Sequence, residues 1–204
     1  MTNLILLIIF GYLLGSTPFG YLISKAKGID IRKVGSGNIG GTNVIRAFGI
    51  KWGLLVVVLD ILKAVIPVYL AIRILPLDWQ IAACAITPIL GHVFPIWLNF
   101  KGGKGVASTF GVLLILLGWQ GLLVLILIQV LILASVKIMS FSSLTMASFI
   151  PLVICFFSYS LPFYVLGIAL AVLIWWSHRE NLIRIKEDRE PKFRFKETIS
   201  QHGE

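Results

Sequence analysis

Two polar, glycine-rich stretches carry most of the chemistry available to this chain. One is Gly35-Ser36-Gly37-Asn38-Ile39-Gly40-Gly41-Thr42-Asn43, with Arg46 one turn further on. The other is Lys101-Gly102-Gly103-Lys104-Gly105, which closes a run that begins at Gly91 and includes His92 and Pro95. Glycines let several backbone N–H groups converge on one ligand and the cations add charge, so each stretch suits an anion. A helix capped by Thr42 or Asn43 would turn its free N–H groups toward the same ligand, and the Arg46 fork could clamp it. The plain alternative is a pair of basic turns held at lipid headgroups; the recurrence of the pattern favours the cradle. Ser140 and Ser143, in the connection 137–143, offer hydroxyls that either cap a helix or bond a ligand. His178, Asn181 and Ile185 fall on one helix face at spacings of three and four. Asp60 and Lys63, spaced i, i+3, can satisfy each other, and His92 reads first as a hydrogen-bonded strut, so these three are structural or open in role.

Membrane helices must position these groups. The 204 residues are 58% hydrophobic and only 13% charged, with mean hydropathy +0.95, which marks a single polytopic membrane domain over 1–204. Apolar runs place seven spans at roughly 4–23, 53–75, 79–98, 105–117, 120–136, 144–157 and 163–177. The stretch 105–136 is too long for one span and breaks most naturally at Gly118-Trp119-Gln120-Gly121. The fold class is therefore all-α, with short interfacial or re-entrant segments on one face. Sixteen of the eighteen lysines and arginines fall on segments that share a side when the N-terminus is outside, which orients the C-terminus to the cytoplasm. The first apolar run lacks a positive flank and a cleavage pattern and is read as a retained helix. The net charge of +9 thus belongs to membrane orientation and anionic ligands, not to nucleic acid. Cys84 and Cys155 sit in apolar runs without metal-like spacing, and no metal or cofactor is expected. There is no Walker A pattern, no Gly-x-Ser-x-Gly elbow and no histidine followed five residues later by aspartate. Charges alternate from Lys186 onward, as on a solvated surface, and no chemistry is assigned to them.

Taken together, Ser16 to Leu22, Gly35 to Arg46, Asp60-x-x-Lys63, Gly91 to Gly105, Ser140-x-x-Ser143 and His178-Arg179-x-Asn181 resemble the bacterial acyl-phosphate:glycerol-3-phosphate acyltransferases, the PlsY family. The resemblance covers nearly the whole chain and departs at Gly41, Ala64, Lys137 and Asp188. It implies transfer of a fatty acyl group from acyl phosphate to the 1-hydroxyl of glycerol 3-phosphate at the cytoplasmic face of the bacterial inner membrane. The products would be lysophosphatidic acid and phosphate, in the first acylation of phospholipid synthesis. Besides these substrates and the bilayer, soluble lipid-synthesis enzymes that supply acyl phosphate are implied partners. Ser36, Lys104, His178 and Asn181 are the candidate catalytic residues. Gly37, Asn38, Gly40, Thr42, Asn43, Arg46, Lys101, Gly102, Gly103, Ser140 and Ser143 are candidates for binding substrate. The working division gives Ser36, Gly37 and Asn38 to the acyl-phosphate group and Arg46, Lys104, Ser143 and Asn181 to glycerol 3-phosphate, with the reverse pairing open. A phosphate-ester transporter is the competing class, but such sites sit near the midplane between related halves, and this chain has no internal repeat.

Overall fold

The computed structural model describes residues 1–158 and 160–193. The expected cytoplasmic tail beyond residue 193 lies outside the described residues. All regular structure among the described residues is helical, and the spans are interrupted wherever the sequence supplies a reason. The first span is two helices, α1 (Thr2–Gly15) and α2 (Phe19–Ala26), parted at Thr17-Pro18 because proline offers no N–H to the ladder. The Thr17 carbonyl at this break accepts from the Phe19 N–H at 3.2 Å and from Lys63 Nζ at 2.9 Å. A polar cap follows: a 3-10 turn (Ile31–Lys33), the glycine loop, and α3 (Gly41–Phe48). Next come α4 (Ile50–Ile74), then α5 (Asp78–Ala85) and α6 (Thr87–Val93), which make one span broken at Ile86. The lysine loop leads into α7 (Val106–Val136), followed by α8 (Met139–Phe157), α9 (Leu161–Ser177) and α10 (Arg179–Lys186).

Five helical stretches are long and apolar enough to cross a bilayer, or six if α9 and α10 count as one span bent by 56°. The expectation of seven divides α7 at Gly118, and the backbone does leave the helical region there (φ 69°, ψ −176°). The piece 106–117 is about 18 Å long, well short of the roughly 30 Å hydrocarbon layer, so it fails the length test alone. Both ends of α7 nonetheless line one cavity, with Lys104 and Gly105 beside Gln129 and Ser140, so the chain doubles back at Gly118. Other boundaries also move. α8 begins at Met139 rather than 144, so the serines expected in a connecting loop occupy its first turns. Their hydroxyls do not cap it from outside: Ser142 and Ser143 Oγ donate back to the Met139 carbonyl at 2.8 and 3.0 Å.

Apolar burial does not drive helices together inside lipid, so packing relies on small residues that let backbones touch. A Cβ on Gly15 would overlap the Pro88 backbone, and one on Gly91 would overlap the turn at Tyr12–Ser16. Gly41 and Gly53 bring α3 onto α4 in the same way, and Gly111 seats α7 against Ile61. The contacts thus fixed surround a core of Ile89, Leu113, Met146, Ile150 and Leu170, with a second cluster of Ile31, Ile39, Val44, Val56 and Leu98 beneath the polar cap. That second cluster anchors the glycine loop, a polar segment with little packing of its own.

Candidate active site

The glycine loop is shaped from inside by one side chain. Asn43 is buried; its Oδ1 accepts from the Ser36 N–H at 3.1 Å, and its Nδ2 donates to the Val34 and Asn38 carbonyls, both at 2.9 Å. The expected cap on α3 is therefore absent: Gly40 occupies the cap position, and neither Thr42 nor Asn43 bonds the helix end. Asn43 staples the loop rather than offering donors to a ligand. Gly35 and Gly37 take positive φ (57° and 71°), where a side chain would strain the turn. This leaves Ser36 and Asn38 lining open space on the loop's outer side.

The lysine loop folds back as expected from Pro95. Its Gly102 and Gly103 N–H groups donate to the Val93 and His92 carbonyls at 3.1 and 3.0 Å, capping α6. A Cβ on Gly103 would overlap the His92 ring, so the glycine is needed for close approach. His92 is a strut in a buried cluster: its Nδ1 lies 3.3 Å from Ser108 Oγ and 3.6 Å from Asp60 Oδ1. Asp60 pairs with Lys63 at 2.7 Å, both carrying side chains no more than 4% exposed. Asp60 and His92 reach the wall of the site, while Lys63 lines neither cavity and turns to the Thr17 carbonyl.

Two adjoining cavities share Ser36, Asn38 and Lys104. The first, about 280 Å³, gathers Gly40, Thr42, Arg46, Ser140, Ser143, His178 and Asn181, with apolar wall from Ile45, Val57 and Phe110. The second, about 450 Å³, is formed by Gly37, Lys101, Gly102 and Gly103 with Trp176 and Arg184. The polar groups expected to act together thus converge from four separate segments. Burial pushes the Lys104 ammonium down to about 8, the nearby Glu190 charge opposing that shift. Burial likewise opposes the charge on Arg46. Two partly desolvated cations in one cavity are a site for an anion.

His178 follows the last residue of α9 and is buried. Its Nδ1 lies 2.8 Å from the Ile174 carbonyl, which can only accept, so Nδ1 carries the hydrogen and Nε2 is left as an acceptor. Burial, then the Lys104 charge, lowers this imidazole to about 4, which keeps it neutral at neutral pH.

Three residues of the site were not assigned any role from sequence. Glu190 lies in the stretch of alternating charge read as solvated, yet it folds back into the first cavity. Its carboxylate accepts from Ser140 Oγ (2.7 Å), Asn181 Nδ2 (2.6 Å) and Arg184 Nε (2.8 Å). Burial opposes its charge, but these three donors outweigh that and hold the carboxyl below the usual range. A bond from the Phe193 N–H to the Lys137 carbonyl (2.6 Å) ties the returning chain to the start of α8. Arg184, which bonds Glu190 and lines the second cavity, is the second of the three. Gln129, on α7, is the third, and it lines the first cavity.

A family model described as glycerol-3-phosphate acyltransferase matches residues 5–188. The glycerol-3-phosphate acyltransferase of Prochlorococcus marinus (strain NATL1A) is 40% identical over 195 residues, covering 92% of this chain and 97% of its own. That of Aquifex aeolicus (strain VF5) is 39% identical over 199 residues, with 92% and 97% covered. Among solved structures, the glycerol 3-phosphate form of PlsY, an integral membrane glycerol 3-phosphate acyltransferase, aligns with TM-score 0.91 at 38% identity, over 97% of this chain and 98% of that one. Its lysophosphatidic acid form gives TM-score 0.88 at 37% identity over the same shares. Sequence, fold and the convergence of both glycine motifs agree: this chain belongs to the glycerol-3-phosphate acyltransferase family.

Proposed function

We propose that this glycerol-3-phosphate acyltransferase draws its acyl group from acyl phosphate and passes it to the 1-hydroxyl of glycerol 3-phosphate. The observation that carries the reading is the pair of adjoining cavities that share Ser36 and Lys104 beside an apolar wall. Two phosphorylated substrates, one with a long alkyl chain, require two such anion pockets meeting at the reacting atoms. Ser36, Gly37 and Asn38 hold the donor's phosphate; Arg46, Lys104, Ser143 and Asn181 hold glycerol 3-phosphate. Gly40, Thr42, Lys101, Gly102, Gly103 and Ser140 complete the walls, and Asn43 acts through the loop it staples. A donor comparison tests this: purified protein in lipid should form lysophosphatidic acid with palmitoyl phosphate and not with a palmitoyl thioester. Equal turnover of the thioester would refute it.

In the reaction, the glycerol oxygen bonds to the acyl carbon while the bond from that carbon to the phosphate oxygen breaks. The hydroxyl proton passes to an oxygen of the departing phosphate. An acyl phosphate is already activated, so the protein's part is positioning and stabilising developing negative charge. Ser36 donates hydrogen bonds and forms no acyl-enzyme. A histidine lowered to about 4 is a weak base beside a phosphate, whose second pKa is about 6. His178 therefore orients the groups through Nε2. His178→Ala should lose about 10- to 100-fold in kcat yet keep measurable turnover; complete loss at every pH would instead make it the base.

In this reading the site faces the cytoplasm and the N-terminus faces outward, which the distribution of lysine and arginine supports. Thr2→Cys, with Cys84 and Cys155 replaced by alanine, should react with a membrane-impermeant thiol reagent from outside intact cells. Labelling only from the cytoplasmic side would reverse the orientation.

A further inference from the structure

The cavity that holds Lys104 and Arg46 also carries acceptors that no phosphate can use. Gln129 Oε1 and Asn181 Oδ1 are both buried, with no hydrogen-bond partner among the described residues. The Gln129 amide is oriented by its neighbours. Ser143 Oγ spends its hydrogen on the Met139 carbonyl (3.0 Å), so toward Gln129 it accepts, taking Nε2–H at 3.3 Å. The amide NH₂ is thereby fixed on α8, and Oε1 is left over. Gln129 is also the one polar side chain between Gly121 and Ala134, in a helix otherwise built for lipid. A primary amide there is costly unless it serves a partner.

A bound phosphate dianion offers oxygens only, and the alkyl chain of the donor offers nothing. An unpaired buried acceptor therefore calls for a hydroxyl. Glycerol 3-phosphate brings two: the 1-hydroxyl, consumed in the reaction, and the 2-hydroxyl, which survives it. We propose that Gln129 is a specificity-determining residue whose Oε1, beside Asn181, accepts a hydrogen bond from the 2-hydroxyl of glycerol 3-phosphate. This rests on the acceptor assigned under the proposed function. Ser143 links the two ends of the substrate: it holds the Gln129 amide and stands with Arg46 and Lys104 in the same cavity. A site built to bond a hydroxyl rejects the analogue that lacks it, because the acceptor is then left buried and unpaired.

The experiment compares glycerol 3-phosphate with 3-hydroxypropyl phosphate, its 2-deoxy analogue, in wild-type protein and in Gln129→Met, which keeps length but removes the acceptor. Wild type should prefer the natural substrate in kcat/KM by at least a hundredfold. In Gln129→Met, kcat/KM for glycerol 3-phosphate should fall tenfold or more while that for the deoxy analogue changes less than threefold. The preference then narrows about tenfold. An unchanged preference overturns the proposal, whether both values fall together, as for a merely structural tie to Ser143, or neither falls. Gln129→Asn keeps the amide in the helix but withdraws it by one methylene, and it gives the same readout if the methionine variant fails to accumulate. Wild-type protein inactive on glycerol 3-phosphate would sink the acceptor assignment itself; an active wild type with an unmoved preference sinks only the role of Gln129.

Discussion

Lys104→Ala is expected to raise the KM for glycerol 3-phosphate by one to two orders of magnitude, whereas Lys51→Ala should leave it within about twofold. A charge-assisted bond contributes about 1.5–3 kcal/mol, which is roughly a 10- to 150-fold change in affinity. Lys104 lines both cavities and is partly desolvated, while Lys51 is exposed on the first turn of α4. Equal, small effects from the two substitutions would remove Lys104 from the site. The same residue sets a pH dependence. With its pKa lowered to about 8 by burial, Lys104 is charged below that value and loses its charge above it. Since kcat/KM follows the ionisations of the free enzyme, kcat/KM for glycerol 3-phosphate should fall as pH rises through about 8. Lys104→Arg, whose guanidinium stays charged, should shift that fall to higher pH.

Asp60→Ala should destabilise the protein by about 3–5 kcal/mol, because it strands a charge among helices that offer almost no water. Lys63 would keep only the Thr17 carbonyl and the face of the Phe19 ring, neither of which carries a charge, and its side chain is 2% exposed. The loss is read as a lower unfolding temperature in detergent and less protein in the membrane. Replacing both members by apolar residues of similar size, Asp60→Leu with Lys63→Met, should recover part of it, since no unpaired charge is left. A double variant no better than the sum of the single ones would mean that the two residues act independently. Activity should fall further than stability explains, because the Asp60 carboxylate also lies 3.6 Å from His92 Nδ1, and the His92 ring packs against Gly103 of the lysine loop.

Both glycine loops were legible as parts of one polar site because their chemistry is local: glycines and cations lie side by side in the chain. The sequence did not reveal that the N–H groups expected to face a ligand are spent inside the protein. Those of Gly102 and Gly103 go to the Val93 and His92 carbonyls, and those of Ser36 and Gly37 to Asn43 Oδ1 and the Val34 carbonyl. The cavity residues named from sequence do converge, and their motifs are polar islands in apolar sequence. Legibility ended where a role depends on distant partners. Asn43 reads as a helix cap, but the carbonyls of Ile31, Val34 and Asn38 surround its amide and make it a staple. Glu190 reads as solvated because nothing near it reveals the 56° turn after Ser177 that brings the following segment back over the site. Gln129 is a single polar residue in an apolar run, without a motif to mark it. Helix breaks followed the same rule. Gly118 announced its own, whereas the interruption at Ile86 has no glycine at the break, only the Thr87-Pro88 pair that starts α6.

The most direct measurement is phosphate release from purified protein in liposomes, followed alongside formation of lysophosphatidic acid. With palmitoyl phosphate and glycerol 3-phosphate together, the two products should appear in equal amounts. With either substrate alone there should be neither product, and no acyl group should be found on Ser36 or Ser143 after rapid quenching. A burst of phosphate with donor alone, matched by acylated serine, would contradict direct transfer between the two cavities.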